Sequence, residues 1–337
     1  MKVIAIILLP FSWIYGFIVS LRRSMFQWGI FKRKRPEIPA IVVGNISAGG
    51  TGKTPFVIWL SNAMRDKSVA ILSRGYKRKS KGFFEVNSTD GASQFGDEAL
   101  EIFQHFHSEI PVFVCEDRVE GIHRISKERP GTEVVILDDG FQHLRLQPNV
   151  SVLLCNYNRP FFKDYPFPLG HLREFAFNAR YADVIVVSKC PANMDMAEGL
   201  KWYDALSGYG KAIFFANYEN AAPADIKGNT LKPGSRVVLV SALANNAAFC
   251  KWAEKDYLVS KHFSYVDHYP FKNSDISDWE AALEKHNADG VLVSRKDFMK
   301  LGKMELKMPI YITFTQVQIL FDGEDDLIAL ISDKING

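Results

Sequence analysis

Apolar residues along this chain fall into distinct patterns. The first is a single long run: residues 3–21 carry no charge and are interrupted only by Pro10, Ser12, Gly16 and Ser20. As a helix rising about 1.5 Å per residue, the run would be roughly 28 Å long, close to the hydrocarbon thickness of a bilayer. The second is a series of short runs rich in β-branched residues, at 40–43, 69–73, 112–115, 134–137, 150–155 and 184–188. Continuous rather than alternating, they predict strands buried on both faces. The third is helical periodicity between those runs, over 55–66, 96–106 and 119–127. Pro55 suits a first helical turn, where its missing N–H costs nothing. Strands and helices in alternation predict an α/β fold with a mostly parallel sheet and helices on both faces.

Polar sequence containing Pro223, Gly228, Pro233 and Gly234 interrupts the series around residues 216–233. A smaller series follows, with strands expected at 237–240, 291–294 and 310–313 and helices between them. The expected organisation is an N-terminal membrane-anchoring helix and basic linker over 1–35, a main α/β domain over 36–225, and a smaller α/β C-terminal domain over 226–337. No internal repeat or low-complexity tract interrupts it.

Composition supports a globular protein with a large core, since 47% of the 337 residues are hydrophobic and 23% charged. The formal net charge is only +3, but its placement matters. Lys2, Arg22, Arg23, Lys32, Arg33, Lys34 and Arg35 all precede the first acidic residue, Glu37. The Arg22-Arg23 flank obeys the positive-inside rule, and no small-residue cleavage site follows the apolar run. Attachment to a membrane is therefore expected. A buried core helix is the alternative, and Pro10, Trp13 and Tyr15 leave open whether the helix spans the bilayer or lies in its interface. The four cysteines, Cys115, Cys155, Cys190 and Cys250, lie far apart with no CxxC pair. That argues against a disulfide framework or zinc site and fits a reducing compartment. No nucleic-acid-binding module is present, and the charge is too modest to suggest one.

Residues 41–54 read Ile-Val-Val-Gly-Asn-Ile-Ser-Ala-Gly-Gly-Thr-Gly-Lys-Thr: a strand, a glycine-rich loop, then a helix. Gly49, Gly50 and Gly52 free the backbone to turn its N–H groups inward around a polyphosphate, and the following helix points its positive end at the same anion. Ser47, Ala48, Gly49, Gly50, Thr51, Gly52, Lys53 and Thr54 are thus expected to cradle a nucleotide. Lys53 would neutralise the β- and γ-phosphates, and the Thr54 hydroxyl would ligate Mg²⁺. The pattern GxxxxGK[ST] has Ser47 at its first position, a residue small enough for the turn. Residues 133–140, Glu-Val-Val-Ile-Leu-Asp-Asp-Gly, form an apolar run ending in two acids. At the carboxyl end of a strand beside the phosphate loop, Asp138 or Asp139 would hold the Mg²⁺; an Asp-Gly turn is the plain alternative. Together these segments predict a P-loop NTPase-like fold that transfers a phosphoryl group from ATP.

With these motifs the chain resembles the tetraacyldisaccharide 4′-kinases, the lipid A 4′-kinases of Gram-negative bacteria, over nearly its entire length. The resemblance rests on residues 44–55, 72–76 (Leu-Ser-Arg-Gly-Tyr), 96–98 (Gly-Asp-Glu), 138–143 (Asp-Asp-Gly-Phe-Gln-His), 168–174 (Pro-Leu-Gly-His-Leu-Arg-Glu) and 267–268 (Asp-His), with 3–21 as the counterpart of the family's membrane helix. It implies transfer of the ATP γ-phosphate to the 4′-hydroxyl of a tetraacyl glucosamine disaccharide 1-phosphate. It also implies a place on the cytoplasmic face of the bacterial inner membrane, with the lipid and the membrane surface as partners and no obligate protein partner. By the same resemblance Asp97 serves the acceptor hydroxyl as base, with a plain helix cap as the alternative, His268 works with it, Glu98 joins the metal site, and Asn45 meets substrate. The basic run 74–81, five cations in eight residues, would meet an anionic acceptor or phospholipid headgroups or form a solvated loop, and Arg74 stands in it at a strand end on the expected active-site edge, placed to meet substrate. Gln142 and His143 would reach the nucleotide or metal from the loop after Asp139, or brace that loop. Two positions depart from the family's usual wording: Lys77 stands where a further glycine follows Arg-Gly-Tyr, and residues 294–297 read Ser-Arg-Lys-Asp in place of Thr-Glu-Lys-Asp.

Other classes fit less well. A soluble P-loop kinase or ligase acting on a small metabolite has no use for residues 3–21. A nucleotide switch or metal-insertion chaperone would want clustered Cys and His ligands, and the related ATPases with a second lysine before Gly-Gly have it where this chain has Ala48.

Overall fold

A computed structural model describes residues 2–337 apart from 90, 244, 268, 303 and 305, and side chains apart from those of residues 2–5 and 92. The chain forms two compact units, Met1–Tyr218 with Val317–Gly337, and Glu219–Gln316.

The first unit opens with α1 (Lys2–Gln27), one helix across the apolar run, with Pro10 inside it. After an extended linker come β1 (Ala40–Gly44), α2 (Lys53–Ala63), β2 (Val69–Ser73) and the short β3 (Phe84–Glu85). Next are α3 (Ala92–Phe95), α4 (Asp97–His105), β4 (Val112–Val114), α5 (Arg118–Glu128), β5 (Val134–Asp138) and β6 (Val150–Asn156). The series continues with β7 (Val184–Cys190), α6 (Met196–Ser207) and β8 (Ala212–Asn220). Every residue of β1, β2 and β5 is buried, as continuous apolar runs require when both faces of a sheet are covered. α2 starts two residues before Pro55, because Gly52 at φ +85° takes its N-cap position. Pro55 remains in the first turn.

In the second unit follow β9 (Arg236–Ser241), α7 (Asn246–Asp256), β10 (Leu258–Ser264), α8 (Asn273–His286), β11 (Gly290–Ser294), α9 (Arg295–Leu301) and β12 (Ile310–Thr313). Its four strands form a parallel sheet in the order β10-β9-β11-β12. Its core gathers around Trp279, which is fully buried. The chain then returns through β13 (Thr315–Ile319) to α10 (Glu324–Asn336).

The return of residues 317–337 differs from the expected domain plan, which ran the C-terminal domain from 226 to the end. Leu327, Ile331 and Ile335, four residues apart on α10, are buried, and Lys334 donates to Asp183 at 3.0 Å within the first unit. Four strands lay outside the sequence expectation. β3 is two residues long, β8 and β10 carry polar residues among the apolar ones, and β13 alternates Thr, Gln, Val and Gln.

The large sheet runs β13-β8-β7-β6-β1-β5-β2-β4-β3, with β1, β2, β4, β5, β6, β7 and β8 paired in parallel. From β1 the chain moves through β2 to β4 in one direction, returns through β5, and moves through β6 to β8 in the other. The carboxyl ends of β1 and β5 therefore lie where the strand order reverses, the usual ligand crevice of an open α/β sheet. Register places Val43 opposite Asp138. The phosphate loop and the acid pair thus leave neighbouring strands side by side.

Polarity along α1 is inverted relative to a soluble surface helix. Ser12, Gly16, Ser20 and Arg23, one stripe at helical spacing, are buried, while Phe11, Trp13, Ile14, Phe17, Ile18 and Leu21 are exposed, Phe17 by 63%. Glycine is needed at 16: an added Cβ would lie 2.6 Å from the ring of Phe175. Ser12 donates to the Pro166 carbonyl, Asn178 donates to Ser20 at 3.0 Å, and Trp13 meets Phe175 edge-on with ring centroids 5.9 Å apart.

Candidate active site

The loop between β1 and α2 is held from several sides. Asn45 donates to the Thr51 hydroxyl at 2.7 Å, and Ser188 at the end of β7 donates to the Thr51 carbonyl at 2.8 Å. Lys189 Nζ donates to the Gly50 carbonyl at 2.7 Å, and Arg159 donates to the Ala48 carbonyl. Gly49 has φ +101°. At Gly52 an added Cβ would fall 2.4 Å from the Tyr218 ring, whose hydroxyl donates to the Gly52 carbonyl at 3.1 Å. Burial keeps that phenol well above its ordinary value, hence a donor. Residues 168–174 are laid along the same loop. The Ala48 N–H bonds the His171 carbonyl at 2.7 Å, the Arg173 N–H bonds the Ile46 carbonyl at 2.8 Å, and Ser47 forms a bridge with Leu172.

That docking delivers two side chains to the acid pair. Arg173 Nη1 lies 3.2 and 3.1 Å from the two oxygens of Asp139 and 3.2 Å from Gln142 Oε1. Lys53 Nζ, with its side chain 12% exposed, stands 3.6 Å from Asp139. Burial alone would raise the Asp139 carboxyl, but Lys53 and Arg173 outweigh it and hold it below its ordinary value. Asp138 has the opposite setting. It is 1% exposed, neither oxygen has a hydrogen-bond partner among the described residues, and burial, reinforced by Glu98, pushes its pKa up to about 8. The buried Arg118 is the third cation in range; burial lowers its pKa to about 10, with Asp138 acting against that shift. Its Nη1 is tied to the Cys115 and Glu116 carbonyls.

The acceptor-side motifs meet through backbone. Gly96, at φ +86°, lies so close to residues 75–76 that an added Cβ would sit 2.7 Å from the Tyr76 carbonyl. The 72–76 segment bearing Arg74 is thereby packed on the start of α4, where Gly96 is the N-cap and Asp97 and Glu98 are the first helical residues. Arg74 is exposed. Arg78, in the same basic run, is committed to structure by bonds to Glu116 at 2.8 Å and the Gly82 carbonyl at 2.6 Å.

The structure therefore brings Asn45, the 47–54 loop, Lys53, Asp139 and Gln142 into one bonded cluster, with Asp138 and Glu98 within electrostatic reach. Thr54 lies in the first turn of α2. Gln142 braces: its amide donates to the Asn45 carbonyl at 2.8 Å and to Glu174 at 3.0 Å. His143 turns to Asp117, 3.5 Å away, and burial together with Arg118 lowers its pKa to about 4, so it is neutral there rather than an ion-pair partner. His268 lies outside the described residues. Its neighbour Asp267 is paired with Lys296 at 3.1 Å in the second unit. Sequence reasoning misses Arg118, Arg159, Lys189, Arg173 and Glu174. Arg173 and Glu174 sit inside a quoted motif, and Lys189 sits at a strand's carboxyl end, where ligand-facing residues collect. Nothing local marks the other two.

Among the described residues no group of three or more His, Cys, Asp and Glu side chains could hold a metal by itself. A Mg²⁺ ion does not require one, since it keeps water and takes oxygens from phosphate. The two unpartnered oxygens of Asp138, buried next to the phosphate loop, are what such an ion would satisfy.

A phosphate loop opening from the central strand, with carboxylates at the end of the adjoining strand, defines the first unit as a P-loop kinase fold. Comparison with known proteins narrows this. A sequence model of the tetraacyldisaccharide-1-P 4′-kinases matches residues 4–336, and the chain belongs to that family. The tetraacyldisaccharide 4′-kinase of Cytophaga hutchinsonii is 36% identical over 341 residues, covering 98% of this chain and 95% of that one. That of Flavobacterium psychrophilum is 34% identical over 305 residues, covering 88% and 87%. The crystal structure of LpxK from Aquifex aeolicus in complex with ATP superposes with a TM-score of 0.77 at 28% identity, over 97% of this chain and 98% of that one.

Proposed function

We infer that this protein transfers the γ-phosphate of ATP to the 4′-hydroxyl of a tetraacyl glucosamine disaccharide 1-phosphate, a step of lipid A biosynthesis. The observation that carries this is a family relationship spanning residues 4–336, and hence both units.

In the site we propose, the 47–54 backbone and Lys53 bind the β- and γ-phosphates. Arg173 and Lys53 hold Asp139 ionised and fixed. Asp138 and the Thr54 hydroxyl are the residues that would hold Mg²⁺, with Glu98 nearby; bound there, the ion supplies charge neutralisation at the phosphate oxygens. Asp139, also expected at the metal, pairs with Lys53 and Arg173 and keeps lone pairs that an ion could use. Asp97 is proposed as the base that orients the sugar hydroxyl and takes its proton. Since a loose phosphoryl transition state demands mostly positioning and charge, the rigid bracing of the loop is the fold's main contribution.

The protein is membrane-associated, and α1 is proposed to seat it on the cytoplasmic face of the inner membrane without spanning. Contacts from Ser12 to Arg23 hold α1 against its own unit over about 17 Å, at 1.5 Å rise per residue. Its outward apolar face, extended by the exposed Phe167 and Phe177, would enter the interface, as a monotopic helix does. The sugar of a lipid whose acyl chains stay in the bilayer then comes within reach.

The test is a mixed-micelle assay with ATP, Mg²⁺ and the disaccharide 1-phosphate lipid, run beside Lys53→Ala. The expected result is a 4′-phosphorylated product from the native protein and loss of roughly 10²- to 10³-fold in kcat for the variant, the cost of removing one transition-state charge donor. Near-normal turnover in Lys53→Ala would refute the site.

A further inference from the structure

Among the described residues Arg23 is the one charged residue on the buried stripe of α1, and it reaches the catalytic loops by a short path. Its Nε and Nη2 donate to the two oxygens of Glu174 at 2.7 and 2.9 Å, and Nη2 also donates to the Phe141 carbonyl at 3.0 Å. Its guanidinium lies 4.5 Å from the centroid of the Phe141 ring and 5.6 Å from that of Tyr181. Both charged side chains are buried, at 6% and 0% exposure. Glu174 Oε1 accepts a further bond from Gln142 Nε2, and Gln142 bonds the Asn45 carbonyl on one side and Arg173 on the other. Arg173 ends on Asp139, next to Lys53. Three intervening side chains thus join α1 to the acid pair, and a branch through Asn45 reaches Thr51 in the phosphate loop.

Stability alone does not call for such an arrangement. A buried ion pair costs desolvation that apolar packing would avoid, and replacing one by well-packed hydrophobic residues is often neutral or stabilising. The rest of the stripe shows that α1 docks here without charge, through Ser12, Gly16 and Ser20. What a two-pronged Arg–carboxylate contact adds is direction, because the planar fork fixes the carboxylate plane. With Glu174 fixed, one of its oxygens aims the Gln142 amide, and the Gln142 carbonyl oxygen helps aim Arg173 at Asp139.

We propose that Arg23 is a positioning residue: through Glu174 and Gln142 it sets the geometry of Asp139 and the phosphate loop, so that the seating of α1 governs phosphoryl transfer. The proposal rests on the kinase reading above. It makes the membrane helix part of the catalytic framework as well as an anchor, so an α1 displaced from its groove lowers turnover in an enzyme that still binds ATP.

The experiment uses the full chain on phosphatidylethanolamine–phosphatidylglycerol vesicles carrying the disaccharide 1-phosphate lipid. Vesicle co-sedimentation, melting temperature, kcat and KM for ATP are measured for the native protein, Arg23→Gln, Arg23→Lys and the reversal Arg23→Glu with Glu174→Arg. Arg23→Gln is expected to sediment normally and keep KM for ATP within about threefold, while kcat falls roughly 10- to 100-fold, as for a displacement of catalytic groups by about 1 Å. Arg23→Lys, which keeps the charge and loses the fork, should fall between, and the reversal, which restores the ion pair but leaves no oxygen at position 174 to accept from the Gln142 amide, should regain melting temperature without regaining kcat. Native kcat in Arg23→Gln, or a kcat loss matching its loss of folded or vesicle-bound protein, overturns the proposal. If Arg23→Gln does not fold, Arg23→Lys decides, and native kcat there overturns it. Absence of 4′-phosphorylation by the native protein overturns the kinase reading and the proposal with it, an outcome distinct from a failure confined to the variants.

Discussion

The carboxylate of Asp138 is buried with neither oxygen partnered among the described residues, while that of Asp139, the next residue, accepts from Arg173 at 3.1 and 3.2 Å. The backbone makes the difference. Asp138 is the last residue of β5, and Asp139 has φ +53°, a left-handed conformation that a non-glycine residue adopts only when its surroundings enforce it. Consecutive acids are thereby sent into different environments, one ionised between two cations and one kept largely protonated until something satisfies it.

The protonated acid has a stability cost with a definite sign. Because the Asp138 pKa is raised in the folded state from 3.8 to about 8, the folded metal-free protein binds a proton that the unfolded chain has released. Stability should therefore fall as pH rises between those values. Asp138→Asn removes the charge and is expected to stabilise the metal-free protein near pH 8 by about 1–3 kcal/mol. That corresponds to roughly 2–6 °C in Tm, with the gap closing toward about pH 5. The Mg²⁺ dependence of ATP stabilisation should vanish in the same variant. Thermal scans across pH, with and without Mg²⁺, check both points; a lower Tm at pH 8 would show that Asp138 is satisfied by the protein itself.

Asp97 is the first helical residue of α4 and Gly96 is its N-cap, so Asp97→Ala leaves the capping position intact. Loss of the proposed base should lower kcat by roughly 10²- to 10⁴-fold with ATP affinity nearly unchanged. His268→Ala is expected to lower kcat more mildly. Single-turnover rates and melting curves on the same samples separate chemistry from folding, and a destabilised but fully active Asp97→Ala would end the assignment.

The native protein should sediment with membranes and resist extraction by high salt, which screens charge but does not release a buried apolar face. Ile14 and Phe17 are exposed on α1, at 58% and 63%, so Ile14→Asp with Phe17→Asp removes little of the packing that holds α1 to its unit. That pair should release the protein from vesicles and lower its activity on lipid, with ATP binding retained. Unchanged sedimentation would show that the outward face of α1 is not what the membrane holds.

Much of this protein is local and so was legible along the chain. The 44–54 loop, the strands at 69–73 and 310–313, and the acids after 137 each declare themselves within a few residues, because a buried parallel strand needs a continuous apolar run and a phosphate loop needs glycines at fixed offsets. The uncharged length of residues 3–21 likewise sufficed to expect one apolar helix.

What only the tertiary structure decided depends on partners far apart in sequence. Arg23 meets Glu174 across 151 positions and Arg173 meets Asp139 across 34, and no periodicity in either segment names the other. Polar strands such as β10 form because neighbours supply the ladder, and the return of residues 317–337 follows from an apolar face of α10 that fits equally well, by pattern alone, in either unit. The sequence determines which segments must be buried and which loop must hold phosphate; three-dimensional packing decides which buried charges find each other, because a charge removed from water must be paired and the pairing is made in space.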